Sequence, residues 1–511
     1  MDPRVRILSQ LYLKLADQVD ATANAKALAV AGEVLAARLP GVTDVIPGYT
    51  TVLIEFDPQQ ISRARLDSYV RDVLNSDTPP APASSTVNLD VVYDGPDLAE
   101  LAAATGLEIS EVIRRHSSVG YRAYAAGFTP GFAFLGDVDP AIRRPRRTTP
   151  RTQVPAGSVG IADGQTGVYP SGSPGGWNLI GRVVEAVYDP SRSRPALIEA
   201  GDTVVFSPVS AGARILPPAP LELLPEEPRY PLYLVRKPGL LDLVMDQGRF
   251  LAGRFGFARG GPLDPVSASI ANALVANAPS APLLEMNYAG PTLEVLRDSV
   301  VAFAGAGVRL VVDGQEASPY VSTYVRAGQV LTFPPAAHGV RGYLAVAGGI
   351  ESKTFMGSAS VDVRGLIGRP LQAEDVLGAQ RPAVPRAGFE FTPHHRDTAT
   401  LKLRLLPGPQ YDAELLAELT SRPVRLEHAD RLGARLSSTG ATGGGVISEG
   451  NPLGAVQVTG GGDPIILLND RGTMGGYTKP ALVDPRDLPK LAQARDGTEV
   501  RFQVAPRAPK R

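Results

Sequence analysis

The chain has 511 residues, of which 43% are hydrophobic and 20% charged, enough apolar side chain to fill the cores of two or more units and too little charge for a disordered chain. Lys and Arg number 51 against 52 Asp and Glu, a net charge of −1, so no overall basic field is available to hold a nucleic acid backbone. Cysteine is absent, which removes disulfides, thiolate metal sites and cysteine nucleophiles.

The opening segment MDPRVRILSQLYLKLADQ lacks the hydrophobic stretch and cleavage site of a signal peptide, and no later window reaches the roughly 18 apolar residues that span a bilayer. A cytoplasmic protein with no membrane partner is expected. The 54 Gly and 47 Pro, together about a fifth of the chain, weaken or break long helices and predict a β-rich architecture. The first unit, 1–85, reads as α+β. Apolar residues from Leu28 to Leu39 fall at helical spacing, Thr51 to Phe56 alternates as a strand, and Ile61 to Leu74 is again helical. A loop rich in Pro, Ala and Ser, Asp77 to Ser85, ends it.

From Thr86 the pattern changes to short β-branched runs between dense Gly and Pro turns, such as Val87 to Tyr93 and Thr203 to Phe206, with one helix from Leu98 to His116. This predicts a small β-barrel over 86–215. A proline-dense stretch over 216–231 reads as a stiff linker. Short strands return over 232–385 with a helix at Pro265 to Val275, and a seam at Gln380 to Gly388 leads to a last strand-rich unit, 386–511. The phrases Glu199 to Phe206 and Ala494 to Phe502 are alike, each a charged turn feeding a final strand, and they hint at repeated barrels.

The densest chemistry lies between His116 and Gly181. Glycines there let backbone amides approach a ligand, and Arg146, Arg147 and Arg151 offer forked donors to phosphate or carboxylate. The same features also suit tight barrel turns around a Trp177 core. His116 has a reference pKa suited to proton transfer, although a lone His at a helix end more often caps or packs. In the second half, Asp246, Arg249, Asp264, Asn272, Glu285, Arg364, Gln457, Asp470, Arg471 and Tyr477 sit in or near Gly-rich loops, where acidic and basic pairs orient a polar substrate or simply cap turns. No Walker A, GxGxxG, HExxH or GxSxG pattern occurs, and the five histidines are not spaced to share an ion, so no metal site is expected.

Longer motifs carry a family resemblance. GFTPGFAFLG and PRRTTPRTQVPAGSVGIADGQTGVYPSGSPGGWNLIGR, with His116 before them, resemble the KipI and allophanate hydrolase subunit 1 family, the B subunits of 5-oxoprolinase. KPGLLDLVMDQGR, GGPLDPVSASIANALVANAP, LLEMNYAGPTLE, YLAVAGGI, LPGPQ, SEGNPLGAVQV and DRGTMGGYTKPALV resemble the KipA and allophanate hydrolase subunit 2 family, the C subunits of 5-oxoprolinase. The resemblance implies a mainly β fusion protein with an α+β N-terminal subdomain and several cyclophilin-like β-barrel domains, two of them dividing the second half at 232–385 and 386–511. It implies an ATP-dependent 5-oxoprolinase that opens 5-oxo-L-proline to L-glutamate, using ATP with magnesium and a separate A subunit of the LamB/YcsF type.

Carried over by motif, His116 is expected in proton transfer, Arg151 at an anionic oxygen, and Asp264 and Glu285 in polarising water. Arg146, Gln165, Thr166, Tyr169, Ser173 and Asn178 are the expected ligand contacts of the first half, with Asp246, Arg249, Asn272, Arg364, Gln457, Asp470, Arg471 and Tyr477 those of the second. Assembly into a homo-oligomer is also expected. The same modules resemble the carboxyltransferase part of biotin-dependent urea carboxylase, which would need a separate carrier because no Met-Lys-Met biotin signal is present. They also resemble the KipI and KipA regulators of a sensor histidine kinase, a switch that permanent fusion makes harder to operate.

Overall fold

The computed structural model describes residues 9–76, 84–383, 385–392 and 400–505. At the N-terminus, strands Ser9–Lys14 and Val42–Pro47 flank Thr51–Phe56 in an antiparallel sheet, backed by helices Ala21–Ala36 and Arg63–Asn75. The first helix starts seven residues before Leu28, where the apolar spacing begins, because the Asp20 carboxylate accepts from the Ala23 N–H at 2.7 Å and caps it. Val30, Val34, Ile54 and Phe56 fill the space between helices and sheet. Most of the expected loop from Asp77 to Ser85 lies outside the described residues.

Seven strands between Thr86 and Pro208 then close into a ring. The single helix expected from Leu98 to His116 is two, Leu98–Thr105 and Ile109–Ser117. Gly106 separates them at φ 68°, a left-handed conformation that ends the first helix and costs glycine nothing. A second ring of seven strands lies between Thr400 and Val504. Counted along the chain, both rings close in the order first, seventh, second, third, fifth, fourth, sixth, with first and last strands parallel. The two similar phrases are those last strands, Thr203–Pro208 and Glu499–Val504, so the barrel is repeated.

The region between the rings is built differently from the barrel expected there. It has a six-stranded and a five-stranded sheet, neither closed, which share one core through Tyr233, Leu293, Leu284, Phe303 and Leu344. Helix Pro265–Leu274 contributes Ala268, Ile270 and Ala271 to the same core. The proline-dense stretch before it is packed rather than free. Leu221 bridges to Ile367, and Leu223 is buried with Tyr188, Phe257 and Phe355.

The halves meet along a seam of buried polar contacts. Asp44 accepts from the Gly253 N–H at 3.1 Å, and Glu55 accepts from Arg471 at 2.7 Å and from the Leu453 N–H at 3.2 Å. Burial and the neighbouring Glu55 push Asp44 up to about 7. The Met474 N–H donates to the Gly127 carbonyl at 3.1 Å. A side chain at Gly127 would bring a Cβ to 2.0 Å from Thr473 Oγ1, so the approach of the two barrels depends on that glycine.

Candidate functional site

Along this seam, strand Ser9–Lys14 faces the last ring across an open cleft of about 210 Å³. Tyr12, Lys14, Tyr49 and Thr51 line one wall, and Gln410, Val446, Ile447, Ser448 and Glu449 the other. A second lobe shares Tyr12 and Pro409 with it. Concave space of this size between domains, with a few converging polar groups, is where small molecules usually bind.

Glu449 is the centre of the polar wall. Its Oε1 accepts from Gln410 Nε2 at 2.7 Å and lies 2.9 Å from Lys479 Nζ, and its Oε2 accepts from the Tyr12 hydroxyl. Gln410 is fixed in turn, because its Oε1 accepts from the Lys479 N–H at 3.1 Å. Lys479 is fully buried, with its ammonium also donating to the Tyr477 carbonyl at 3.1 Å. Burial pulls the Lys479 ammonium below the usual lysine range, with Glu449 opposing. Burial and then the Glu449 charge push the Tyr12 phenol up, so it stays a hydroxyl. A carboxylate, an ammonium and a phenol therefore form one proton-sharing network at the edge of a cavity, an arrangement suited to moving a proton to or from a bound molecule.

Gln165 reaches the same place from the first ring, donating to the Tyr49 hydroxyl at 2.6 Å. Tyr49 stacks on Tyr124 with ring centroids 5.2 Å apart, at the edge of an aromatic cluster that includes Phe132, Phe134, Tyr169 and Trp177. Met474 of the last ring packs into this cluster.

Comparison with known proteins agrees with this two-part construction. Residues 5–198 match the carboxyltransferase domain, subdomain C and D, and residues 255–504 match the carboxyltransferase domain, subdomain A and B. In Escherichia coli, the B subunit of 5-oxoprolinase is 41% identical over 178 residues, which are 34% of this chain and 81% of that protein. From a second strain, the C subunit of 5-oxoprolinase is 34% identical over 275 residues, 52% of this chain and 88% of that protein. The chain belongs to the carboxyltransferase-domain family. The crystal structure of TTHA0988 superposes on it with a TM-score of 0.94 at 48% identity, covering 98% of this chain and 100% of that one. The fused order expected from the motifs, a B-like half before a C-like half, is the order these relatives give.

Within this carboxyltransferase-domain chain the residues expected from sequence fall in several places. Two lie inside the first ring. His116 is fully buried, stacked on Phe206, with Nδ1 2.8 Å from the Tyr93 hydroxyl and Nε2 2.9 Å from Thr166 Oγ1. Thr166 donates to the Gly160 carbonyl at 3.0 Å, so it accepts from Nε2–H, and Tyr93 donates to Nδ1. Both ring nitrogens are spent, and burial pulls His116 down to about 3. We therefore assign it a packing role. Unfolding frees a histidine that protonates near 6.5, so this group's stabilisation is complete above pH 6.5 and is lost as pH falls toward 3. Its ring resonances should not titrate between about pH 5 and 8 by NMR, and a midpoint near the ordinary histidine value of about 6.5 would refute the packing role.

Arg146, Arg151, Tyr169, Ser173 and Asn178 gather around the two-stranded antiparallel ribbon of Arg151–Val154 and Ser173–Gly175. Asn178 donates to the carbonyls of Pro145 and Ile161. The other candidates lie deeper. Glu285 accepts from Leu263 N–H, Tyr343 hydroxyl and Arg431, while Asp470 also pairs with Arg431, pinning the middle sheets to the last ring. Asp264 caps helix Pro265–Leu274 and accepts from Gln493 at 3.0 Å. With these partners, Glu285 and Asp264 read as structural pins rather than as groups that polarise water.

Asp246 is held by Ser358, Ser360 and the Ala359 N–H, and Arg249 by three backbone carbonyls. Asn272 donates to the Ala281 carbonyl. Arg471 ties Glu55 to the Asn451 carbonyl, Gln457 bonds Asn451, and Tyr477 and Arg364 are exposed. The residues that build the cleft, Tyr12, Tyr49, Gln410, Glu449 and Lys479, are not among the expected catalytic residues or ligand contacts. Three of them stand inside the family motifs LPGPQ, SEGNPLGAVQV and DRGTMGGYTKPALV. Tyr12 and Tyr49 carry no local signal.

Proposed function

We propose that this chain is the fused B and C part of an ATP-dependent 5-oxoprolinase, opening 5-oxo-L-proline to L-glutamate together with a separate A subunit of the LamB/YcsF type in the cytoplasm. What supports this is that relatives named as the B and C subunits together account for both halves, each aligned over more than four-fifths of its own length. A lactam amide is a poor electrophile. Transfer of ATP's terminal phosphoryl group to its oxygen, with ADP leaving, makes the ring carbon open to water; water adds, the C–N bond breaks with the nitrogen taking a proton, and a second water displaces phosphate from the resulting acyl phosphate to give glutamate. ATP is a substrate on this reading. The described residues contain no group of three or more His, Asp or Glu placed to hold a metal, and magnesium would enter with the nucleotide's phosphates.

The cleft at Glu449 supplies the proton chemistry. The Tyr12 hydroxyl and Lys479 ammonium are donors on either side of one carboxylate, so a proton given up at the cavity is replaced from within. The test follows ADP and glutamate together when ATP and 5-oxoproline are supplied to this protein with and without a LamB/YcsF-type partner. Glutamate formed only with both proteins supports the reading. Neither product with a folded partner sinks it.

A second reading follows from the family's own description. A carboxyltransferase would pass a carboxyl group from carboxylated biotin on a separate carrier to an amide or urea acceptor. Adding such a carrier to the same protein and following loss of its carboxyl group separates the two readings.

A further inference from the structure

A second polar assembly lies at the two-stranded ribbon of Arg151–Val154 and Ser173–Gly175. Asp97 is buried, and its Oδ1 accepts from both Arg147 Nη1 at 3.0 Å and Arg151 Nη2 at 2.7 Å. Its Oδ2 accepts from the Leu179 N–H at 2.7 Å. One carboxylate thus aligns two guanidinium groups side by side and neutralises only one of them. Arg146 adds a third positive charge, and its field reaches both Tyr169 and Tyr49. The nearby Glu100 is 60% exposed and 3.6 Å from Arg147, a weak and solvent-screened counterweight.

Three donors in this assembly are left without a partner. Arg147 Nε, Arg151 Nη1 and Ser173 Oγ are all buried atoms with no hydrogen-bond acceptor, and Ser173 itself is 7% exposed. A buried donor left unmet is costly, so Arg147 together with Arg151 and Ser173 of the ribbon is an unfavourable arrangement unless an acceptor arrives. They are held together by the fold. Arg151 pairs across the ribbon with Gly175 and Ser173 with Val154, while the Arg147 N–H donates to the Gly176 carbonyl at 2.8 Å. A Cβ on Gly175 would stand 2.4 Å from the Tyr169 hydroxyl, so the ribbon admits no side chain there.

We propose that this ribbon binds a phosphoryl group, with Arg147, Arg151 and Ser173 as donors and Asp97 as the positioning residue. Two guanidinium groups aligned by one carboxylate, with a hydroxyl on the same ribbon as Arg151, suit a tetrahedral oxyanion with several acceptor oxygens. Excess positive charge, rather than a neutral pocket, selects an anion. This rests on the ATP-using reading above for the source of the phosphoryl group, which is taken to be the nucleotide's phosphate chain. Val154 of the ribbon and Tyr49 of the cleft wall belong to one buried aromatic cluster, which connects the two sites.

The test is isothermal titration calorimetry of the full chain with inorganic triphosphate, ATP and inorganic phosphate, in low and high salt. Triphosphate and ATP should both bind, and the double substitution R147A with R151A should weaken both by at least about tenfold. S173A, which removes a hydroxyl without a charge, should weaken them a few-fold and guards against a double variant that does not fold. Binding of inorganic phosphate alone, weakened by the same substitutions, would keep the phosphoryl site and remove the nucleotide as its source. ATP affinity within about twofold of the unaltered chain in all the variants, with unchanged thermal melting, would overturn the site. Absence of binding by all three probes would do the same. Loss of lactam turnover with triphosphate binding intact would count against the function proposed above and not against this site.

Discussion

Replacing Glu449 by glutamine is expected to lower the rate of lactam opening by about 10²–10⁴-fold, the range typical of a lost general acid or base, with little change in the affinity for nucleotide. The substitution keeps the shape of the cleft wall and its contact with Gln410, but it takes away the charge that holds the network together. Lys479, fully buried and already pulled down by burial, would then face a neutral amide and lose the charge that opposes that pull, so its ammonium would be disfavoured further. Tyr12 would lose the acceptor that orients it. Kinetics at saturating ATP, with thermal melting as the control for folding, check this. A rate within a few-fold of the unaltered protein would move the proton chemistry elsewhere.

Arg431→Met should be the most damaging single change to stability, costing about 3–5 kcal/mol, as when one partner of a buried ion pair is removed. Arg431 is 8% exposed and bonds Glu285 at 2.5 Å, Asp470 at 2.7 and 2.9 Å and the Gly261 carbonyl at 2.8 Å. Methionine fills most of the same volume but leaves two buried carboxylates facing each other. Burial pushes Asp470 up to about 6 even with Arg431 present, and without it the carboxyl would rise further. A group whose folded pKa lies above its unfolded value loses its stabilisation as pH rises through that interval. The variant should therefore be relatively more stable at about pH 5 than at about pH 8, and denaturant midpoints at the two values test this. Equal losses at both would show that the pair is not what ties the middle sheets to the last ring.

What could be read from the residues was mostly local. The alternation at Thr51–Phe56, the helical spacing from Ile61 to Leu74 and the glycine-punctuated short strands of the barrels all follow from side-chain period and turn chemistry over a few residues. The likeness of Glu199–Phe206 to Ala494–Phe502 even gave away the common closing strand of the two rings. The middle unit misled because short strands and turns look the same whether a sheet closes or stays open. The site was the least legible part. Tyr12 and Glu449 stand 437 residues apart in the chain, and no spacing rule connects them. His116, by contrast, drew attention through its residue type alone, while its packing against Phe206 and its bonds to Tyr93 and Thr166 come from segments of the chain that only the closed ring brings together.

The proline-dense stretch between the halves bears on how the seam behaves. If Glu55 and Arg471, or Asp44 and Gly253, belonged to separate chains, their contact would be an association equilibrium that dilution could reverse. Here the tether is itself packed against the middle sheets through Leu221 and Leu223. It holds the two faces at an effective concentration on the order of millimolar or higher. A substitution that weakens the seam should then appear as breathing of the cleft between Tyr12 and Glu449, seen in faster amide exchange of strand Ser9–Lys14, and not as separation of the halves.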